Sequence, residues 1–317
     1  MIDRALRIVF FGTPAFAVPT LDALLGSRHV IAGVVTQPDR PRGRGHRTTD
    51  APVKVRAREA GIPILQPTSL KSPALLAELA ALDADLGVVA AYGRILTDAV
   101  LAVPPLGMIN VHASLLPRYR GAAPVHRAVM AGERETGVTI MRVVKALDAG
   151  PMLSTATRPI AGEETSVDVE KDLAQIGARL LVDAVDRLAA GTSREEPQND
   201  SEATYAHRLT KDDSPIDWSR PARELHDQIR GLHPWPHAET FLEGQRLIVL
   251  RSRLGPQSSD APHGTIVAAR GDDLQVATGD GLLQIAELQV EGRKPIRARD
   301  FLAGHPQLTG RRLAAAP

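Results

Sequence analysis

Cysteine is absent from the sequence, and aromatic residues make up only 3% of its 317 positions. The first absence excludes disulfide frameworks, thiolate nucleophiles, iron–sulfur clusters and cysteine-bound zinc, and it favours a cytoplasmic setting. The second means that Leu, Val, Ile and Ala fill the interior of a chain that is 43% hydrophobic. No apolar run approaches the roughly 18 residues of a membrane span, so no membrane association is expected. The opening "MIDRALRIVFFGTP" holds too short an apolar stretch for a secretory leader, and none is expected. A dominant charge is also missing: the formal net charge is +1, which argues neither for nor against nucleic acid.

The length allows a sizeable core and favours two domains. In the first half, the β-branched runs "RIVFF" (7–11), "VIAGVVT" (30–36) and "DLGVVAAY" (85–92) are each followed by a turn, and "FAVPTLDALLGS" has a helical pattern. Continuous apolar strands interleaved with helices predict an open, mostly parallel α/β sheet covered on both faces. "GMINVHA" (107–113) is a further strand of that kind. "TGVTIMRVV" (136–144) and "MLSTATRPI" (152–160) flank an Asp-Ala-Gly-Pro turn and predict an antiparallel pair at one sheet edge. A helix is predicted over 166–190, with Gly191 at its stop. The polar stretch 191–209 reads as a linker between a domain of residues 1–190 and one of 210–317. In the second, "RLIVLRSRL", "GTIVAAR", "LQVATGD" and "LLQIAELQV" are short strands parted by Gly and Asp turns, the pattern of a small antiparallel barrel.

Candidate chemistry concentrates in "GMINVHASLLPRYRG". Residues two apart on a strand point the same way, so Asn110 and His112 present an amide and an imidazole together at a strand end. Open α/β sheets place their sites at such ends. "SLLP" follows as a rigid loop able to offer backbone groups to a flat ligand, and "LDAG" supplies Asp148 in a turn. An amide, an imidazole and a carboxylate suit acyl transfer to an amine, which needs no covalent nucleophile. Other motifs fall short. "FFGTPAF" lacks the glycines of a dinucleotide or Walker loop. His233 and His237 have helical metal-ligand spacing, but Pro234 and Pro236 stand against a helix there. Ser114 lacks a nucleophile elbow, and by itself its hydroxyl is expected to satisfy loop backbone. Between Thr36 and Arg58 lie seven basic residues (Arg40, Arg42, Arg44, Arg47, Lys54, Arg56, Arg58) against two acids (Asp39, Asp50), a local basic excess in a near-neutral chain.

These stretches, with "FFGTPAFAVPTLDALL", "VVTQPDRPRGRG", "PVKVRAREAGIPILQP", "HPWPHA" and "VATGDGLLQI", resemble the 10-formyltetrahydrofolate-dependent formyltransferase family, and within it the methionyl-tRNA formyltransferases. The resemblance runs nearly end to end, and Asn-x-His-x-Ser-Leu-Leu-Pro with a distant Leu-Asp-x-Gly is highly specific. It implies a Rossmann-like sheet domain followed by an OB-like barrel, and formyl transfer from 10-formyltetrahydrofolate to the α-amino group of initiator methionyl-tRNA. No metal is implied, and a monomer is expected. By the same resemblance Asn110, His112 and Asp148 are catalytic, Ser114, Leu115, Leu116 and Pro117 line the tetrahydrofolate site, and Arg40, Arg42 and Arg44 form a tRNA-contacting loop. The stretch "HRTTDAPVK" departs from relatives that are more basic and apolar there, and basic and acidic residues nearly balance beyond Thr210. Two rivals stay open: a formyltransferase acting on an amino sugar or purine ribotide, and a non-catalytic tRNA- or folate-binding module.

Overall fold

The structure, a computed structural model, describes residues 4–42, 47–255 and 260–316. Contacts divide the chain into two compact units. One comprises Met1–Pro124, Thr136–Arg158 and Glu170–Ala206, the other Val125–Glu135, Pro159–Val169 and His207–Pro317.

In the first unit, β1 (Arg7–Gly12), α1 (Val18–Leu25) and β2 (Val30–Val35) lead to a small hairpin, β3 (Arg40–Arg42) and β4 (Arg47–Thr49). Then come α2 (Pro52–Glu59), β5 (Ile64–Leu65), α3 (Pro73–Ala81), β6 (Leu86–Ala90), α4 (Asp98–Leu101), β7 (Met108–His112) and β8 (Arg120–Gly121). After α5 (Pro124–Met130), which belongs to the second unit from Val125 on, follow β9 (Glu135–Arg142), β10 (Met152–Pro159), α6 (Ser166–Ala190), whose first turn is also counted with the second unit, and β11 (Tyr205–Ala206). The main sheet has the order β10-β9-β7-β6-β1-β2-β5. β5, β2, β1, β6 and β7 run parallel, and β9 lies antiparallel to β7. β1 is central, with every residue after Arg7 buried, which is why it reads as an unbroken apolar run. Val9, Phe11, Val35, Leu75, Leu79, Tyr92 and Met108 pack in one cluster on this sheet. The strand order reverses on either side of β1, so the crevice at the carboxyl ends of β1, β6 and β7 is where a ligand is accommodated in such sheets.

The arginine-bearing hairpin pairs Arg40 with Thr49 and Arg42 with Arg47. Its two ends are tied together by one side chain: Lys54 Nζ on α2 contacts Asp39 and, at 2.9 Å, Asp50. Asp50 also receives Arg58 at 2.9 Å, and Asp39 accepts from Gln66 at 3.0 Å. The hydrogen bond from Lys54 holds both carboxyls below the ordinary range, and the two carboxylates raise the lysine.

The second unit contains α7 (Ala222–Gly231), β12 (Ala238–Leu242), β13 (Gln245–Leu254), β14 (Ile266–Arg270), β15 (Asp273–Ala277), β16 (Leu282–Val290), β17 (Ile296–Arg297), α8 (Ala298–Ala303) and β18 (Leu313–Ala314). Its sheet follows β14-β15-β16-β13-β12-β18, antiparallel throughout, with β17 beside β16. Leu313 N donates to Gly264 O and Ile266 N to Arg311 O, both at 2.8 Å. The two ends of the path therefore meet, and the sheet curls into a barrel with few free edges. Trp218 plugs it from the loop before α7, its Nε1 donating to Thr240 Oγ1 at 3.0 Å, which in turn donates to Ala314 O at 2.8 Å. That buried indole accounts for "IDW" standing ahead of the strands.

Two outcomes follow. Ile140 on β9 is fully buried and pairs with Val111 beside the strand end that bears His112. Ile140→Ala is expected to lower unfolding free energy by about 2–5 kcal/mol in urea titration. For the Lys54 tie, depressed carboxyls stabilise the fold above their unfolded value and lose that contribution as pH falls through the folded one. The stability difference between the wild-type protein and Lys54→Met, measured by denaturation at several pH values, should be present near neutrality and shrink progressively as pH falls below about 4.

Candidate active site

β7 delivers Asn110 and His112 to the carboxyl edge of the sheet, one face of the strand carrying both. His112 is buried, whereas Asn110 is half-buried and its amide makes no hydrogen bond with another described residue. The His112 ring lies 3.0 Å from Tyr119 O through Nε2. A carbonyl only accepts, so Nε2 carries the hydrogen and donates, which turns Nδ1 toward the site. There Nδ1 stands 3.7 Å from Asp148 Oδ2.

Asp148 comes from the loop between β9 and β10. Its backbone is left-handed, φ 48°, a conformation that a non-glycine residue adopts only when its surroundings hold it. Three neighbours do so. Gly121 N donates to Asp148 Oδ2 at 2.8 Å. Gly150 lets the loop close against β9, since a Cβ at that position would stand 1.9 Å from Arg142 O. Gln198 Nε2 donates to Asp148 O and Gly150 O, each at 2.8 Å. Gly121 also needs to be glycine: its φ is 121°, and a Cβ there would lie 2.8 Å from Ala206 O.

The "SLLP" loop is braced from within. Ser114 is fully buried and its hydroxyl donates to Arg118 O at 2.7 Å, so this side chain shapes the loop and faces away from solvent. Thr139, opposite His112 on β9, donates to Ser114 O at 2.8 Å and accepts from Leu116 N at 3.2 Å. Leu116 is buried, Leu115 and Pro117 are partly exposed, and Leu115 packs over Gly137 of β9. The Leu116–Pro117 peptide is cis. Two exposed apolar side chains flank the same edge: Leu147, 55% exposed beside Asp148, and Ile95, 83% exposed in the loop after β6.

The polar segment expected as a linker runs along this loop instead of spanning free. Met152 and Glu196 exchange two backbone bonds of 2.8 Å, Tyr119 N donates to Thr204 Oγ1, and β11 pairs in parallel with β8. Thus Asn110, His112 and Asp148 are brought together with Leu115 and Pro117 nearby, whereas Arg44 lies outside the described residues and Arg40 and Arg42 belong to the hairpin. His233 and His237 fall in the turn after α7, as the prolines require, with rings 5.3 Å apart and burial lowering the pKa of both. Among the described residues no group of three or more His, Cys, Asp or Glu side chains is spaced to hold a metal ion. No helix among them is long and apolar enough to cross a membrane. Arg120, Gly121, Thr139 and Gln198 escaped the sequence reading, and only the Gly in "RYRG" offered a signal, as a possible turn.

The arrangement can polarise a carbonyl with an amide and an imidazole while a carboxylate stands by for a proton. The profile described as formyl transferase matches residues 6–185, and that of the formyl transferase C-terminal domain matches 208–306. A methionyl-tRNA formyltransferase of Ectopseudomonas mendocina (strain ymp) is 51% identical over 297 residues, covering 94% of each chain. One of Methylococcus capsulatus is 47% identical over 308 residues, covering 97% of this chain and 99% of its own. Among solved structures, an N-formyltransferase from Helicobacter canadensis in complex with folinic acid and dTDP-3-aminofucose superposes with a TM-score of 0.65 at 16% identity, over 92% of this chain and 100% of that one. HypX from Aquifex aeolicus in complex with tetrahydrofolic acid gives 0.66 at 15% identity, over 96% of this chain and 48% of its own. At those identities the structural likeness speaks for the fold, while the sequence matches go further: the chain belongs to the formyl transferase family.

Proposed function

We propose that this chain transfers the formyl group of 10-formyltetrahydrofolate to the α-amino group of methionine esterified to initiator tRNA, in the cytoplasm and as a monomer. The observation that carries the reading is the convergence of Asp148, 3.7 Å from His112, at the strand end that also bears the Asn110 amide. The near-full-length identity to methionyl-tRNA formyltransferases supports the choice of acceptor over an amino sugar or purine ribotide.

In this reading the amine attacks the formyl carbon, forming a C–N bond as the carbonyl electrons move onto oxygen. Asn110 and the protonated Nδ1 of His112 donate to that oxyanion. Tyr119 O holds the imidazole so that Nδ1, not Nε2, is the working nitrogen. Asp148 orients the ring and takes the proton released by the amine, directly or through a water. The bond to the folate nitrogen then breaks, that nitrogen receives the proton, and formyl-methionyl-tRNA and tetrahydrofolate leave. The partly exposed Leu115 and Pro117, with Leu147 and Ile95, offer apolar surface suited to a flat pteridine. Ser114 and Leu116 contribute to that site by holding the loop, since both side chains are buried. The basic loop predicted from the sequence, with Arg40, Arg42 and Arg44, meets tRNA phosphates, and the barrel domain over 210–317, OB-like in kind, holds the remainder of the acceptor arm.

Labelled 10-formyltetrahydrofolate supplied in parallel with charged initiator tRNA, an amino-sugar nucleotide and glycinamide ribotide should label the tRNA alone; label on another acceptor, or on none, contradicts the reading. Asn110→Ala should lower turnover by about 10²–10³ with folding intact, the usual effect of losing one oxyanion donor. Replacing Arg40, Arg42 and Arg44 together by Ala should weaken tRNA binding and reduce the slope of log affinity against log salt by about two to three, measured by filter binding. Tetrahydrofolate affinity should stay unchanged in that variant.

A further inference from the structure

We propose that Gln198, in the polar segment after α6, is a positioning residue that fixes the Asp148 loop for formyl transfer. The inference rests on the role given to Asp148 above. Gln198 is half-buried and uses both ends of its amide. Its Oε1 accepts from Arg120 Nε at 3.0 Å and Nη2 at 2.7 Å. A guanidinium has no acceptor, so the amide cannot be turned over: Nε2 must face the loop, where it donates to Asp148 O and Gly150 O. Arg120 is itself buried, 3% exposed, and its Nη2 also donates to Asp200 Oδ1 at 2.6 Å.

The contacts form a closed circuit. Arg120 grips Gln198, Gln198 grips the main chain at Asp148, the Asp148 carboxylate is gripped by Gly121 N, and Gly121 adjoins Arg120 in β8. One short strand therefore fixes the backbone and the side chain of the same aspartate. Without the two amide donations, a left-handed aspartate with two unpaired flanking carbonyls has little to hold it, and the carboxylate drifts from His112. A drift of about 1 Å in a reacting group costs about 10²-fold in rate.

Gln198→Glu separates the two functions of the amide. It keeps an acceptor for Arg120 but supplies no donor to the loop and sets a carboxylate against two carbonyl oxygens. The expected result is a kcat lowered about 10- to 100-fold, with KM for methionyl-tRNA and Kd for tetrahydrofolate within about two-fold of wild type. Gln198→Met, which introduces no charge but removes the acceptor for Arg120 along with the donor, should show the same split and serves if the glutamate variant folds poorly. Wild-type kcat in a folded variant overturns the proposal, as does loss of tetrahydrofolate affinity in step with kcat, which marks general damage to the loop. Failure of the parent reading is distinguishable, because it appears as absence of formyl transfer by the unaltered protein. In that case amide hydrogen exchange across 146–151 decides the positioning: faster exchange in Gln198→Glu supports it, and unchanged exchange overturns it.

Discussion

The candidate site depends on a carboxylate being held in a left-handed loop conformation while facing a buried imidazole. Asp148 and His112 lie on different elements, and nothing in the strand geometry of β7 draws them together. The work is done by backbone groups: Gly121 N on the carboxylate, Tyr119 O on the imidazole, and the Asp148 and Gly150 carbonyls on Gln198. Backbone partners of this kind lie on a hydrogen-bonded framework and lose little entropy when they bind, so they fix orientation at low cost.

The ring orientation that results matters for the chemistry. With Nε2 committed to a carbonyl, the ring offers Nδ1 alone, and Nδ1 looks toward the carboxylate. A histidine free at both nitrogens could serve several geometries, whereas this one serves one. Thr139 plays the parallel role for the following loop, since its hydroxyl links the two sides of the turn between Ser114 and Leu116. The sheet supplies placement, and the loops that cross its carboxyl edge supply aim.

Much of this was legible in the sequence. Alternation in "MINVH" predicted a shared face for Asn110 and His112, and the helical period from Ser166 to Ala190 matches α6 at both ends. The antiparallel second sheet followed from short strands separated by Gly and Asp turns. Other features were not legible, for physical reasons. Gln198 lies 50 residues from Asp148 in a polar stretch without periodicity, where a glutamine in a linker and a glutamine in a clamp look alike. For Ser114 the residues alone pointed to a hydroxyl satisfying loop backbone, which its bond to Arg118 O bears out, whereas the resemblance left the direction of the side chain open. The short segments Val125–Glu135 and Pro159–Val169 pack with the second unit, and linear patterning carries no information about which core a helix or loop joins.

In the proposed reaction, the negative charge of Asp148, held by this circuit, drives the transfer step at His112. Asp148→Asn retains an oxygen for Gly121 N and leaves the Gln198 bonds to the main chain intact, so it removes the charge and little else. The direct measurement is the single-turnover rate of formyl transfer from 10-formyltetrahydrofolate to methionyl-tRNA with that variant. A fall of about 10²–10⁴-fold with tetrahydrofolate affinity preserved is expected; a single-turnover rate equal to that of the wild-type protein would refute the role of the charge.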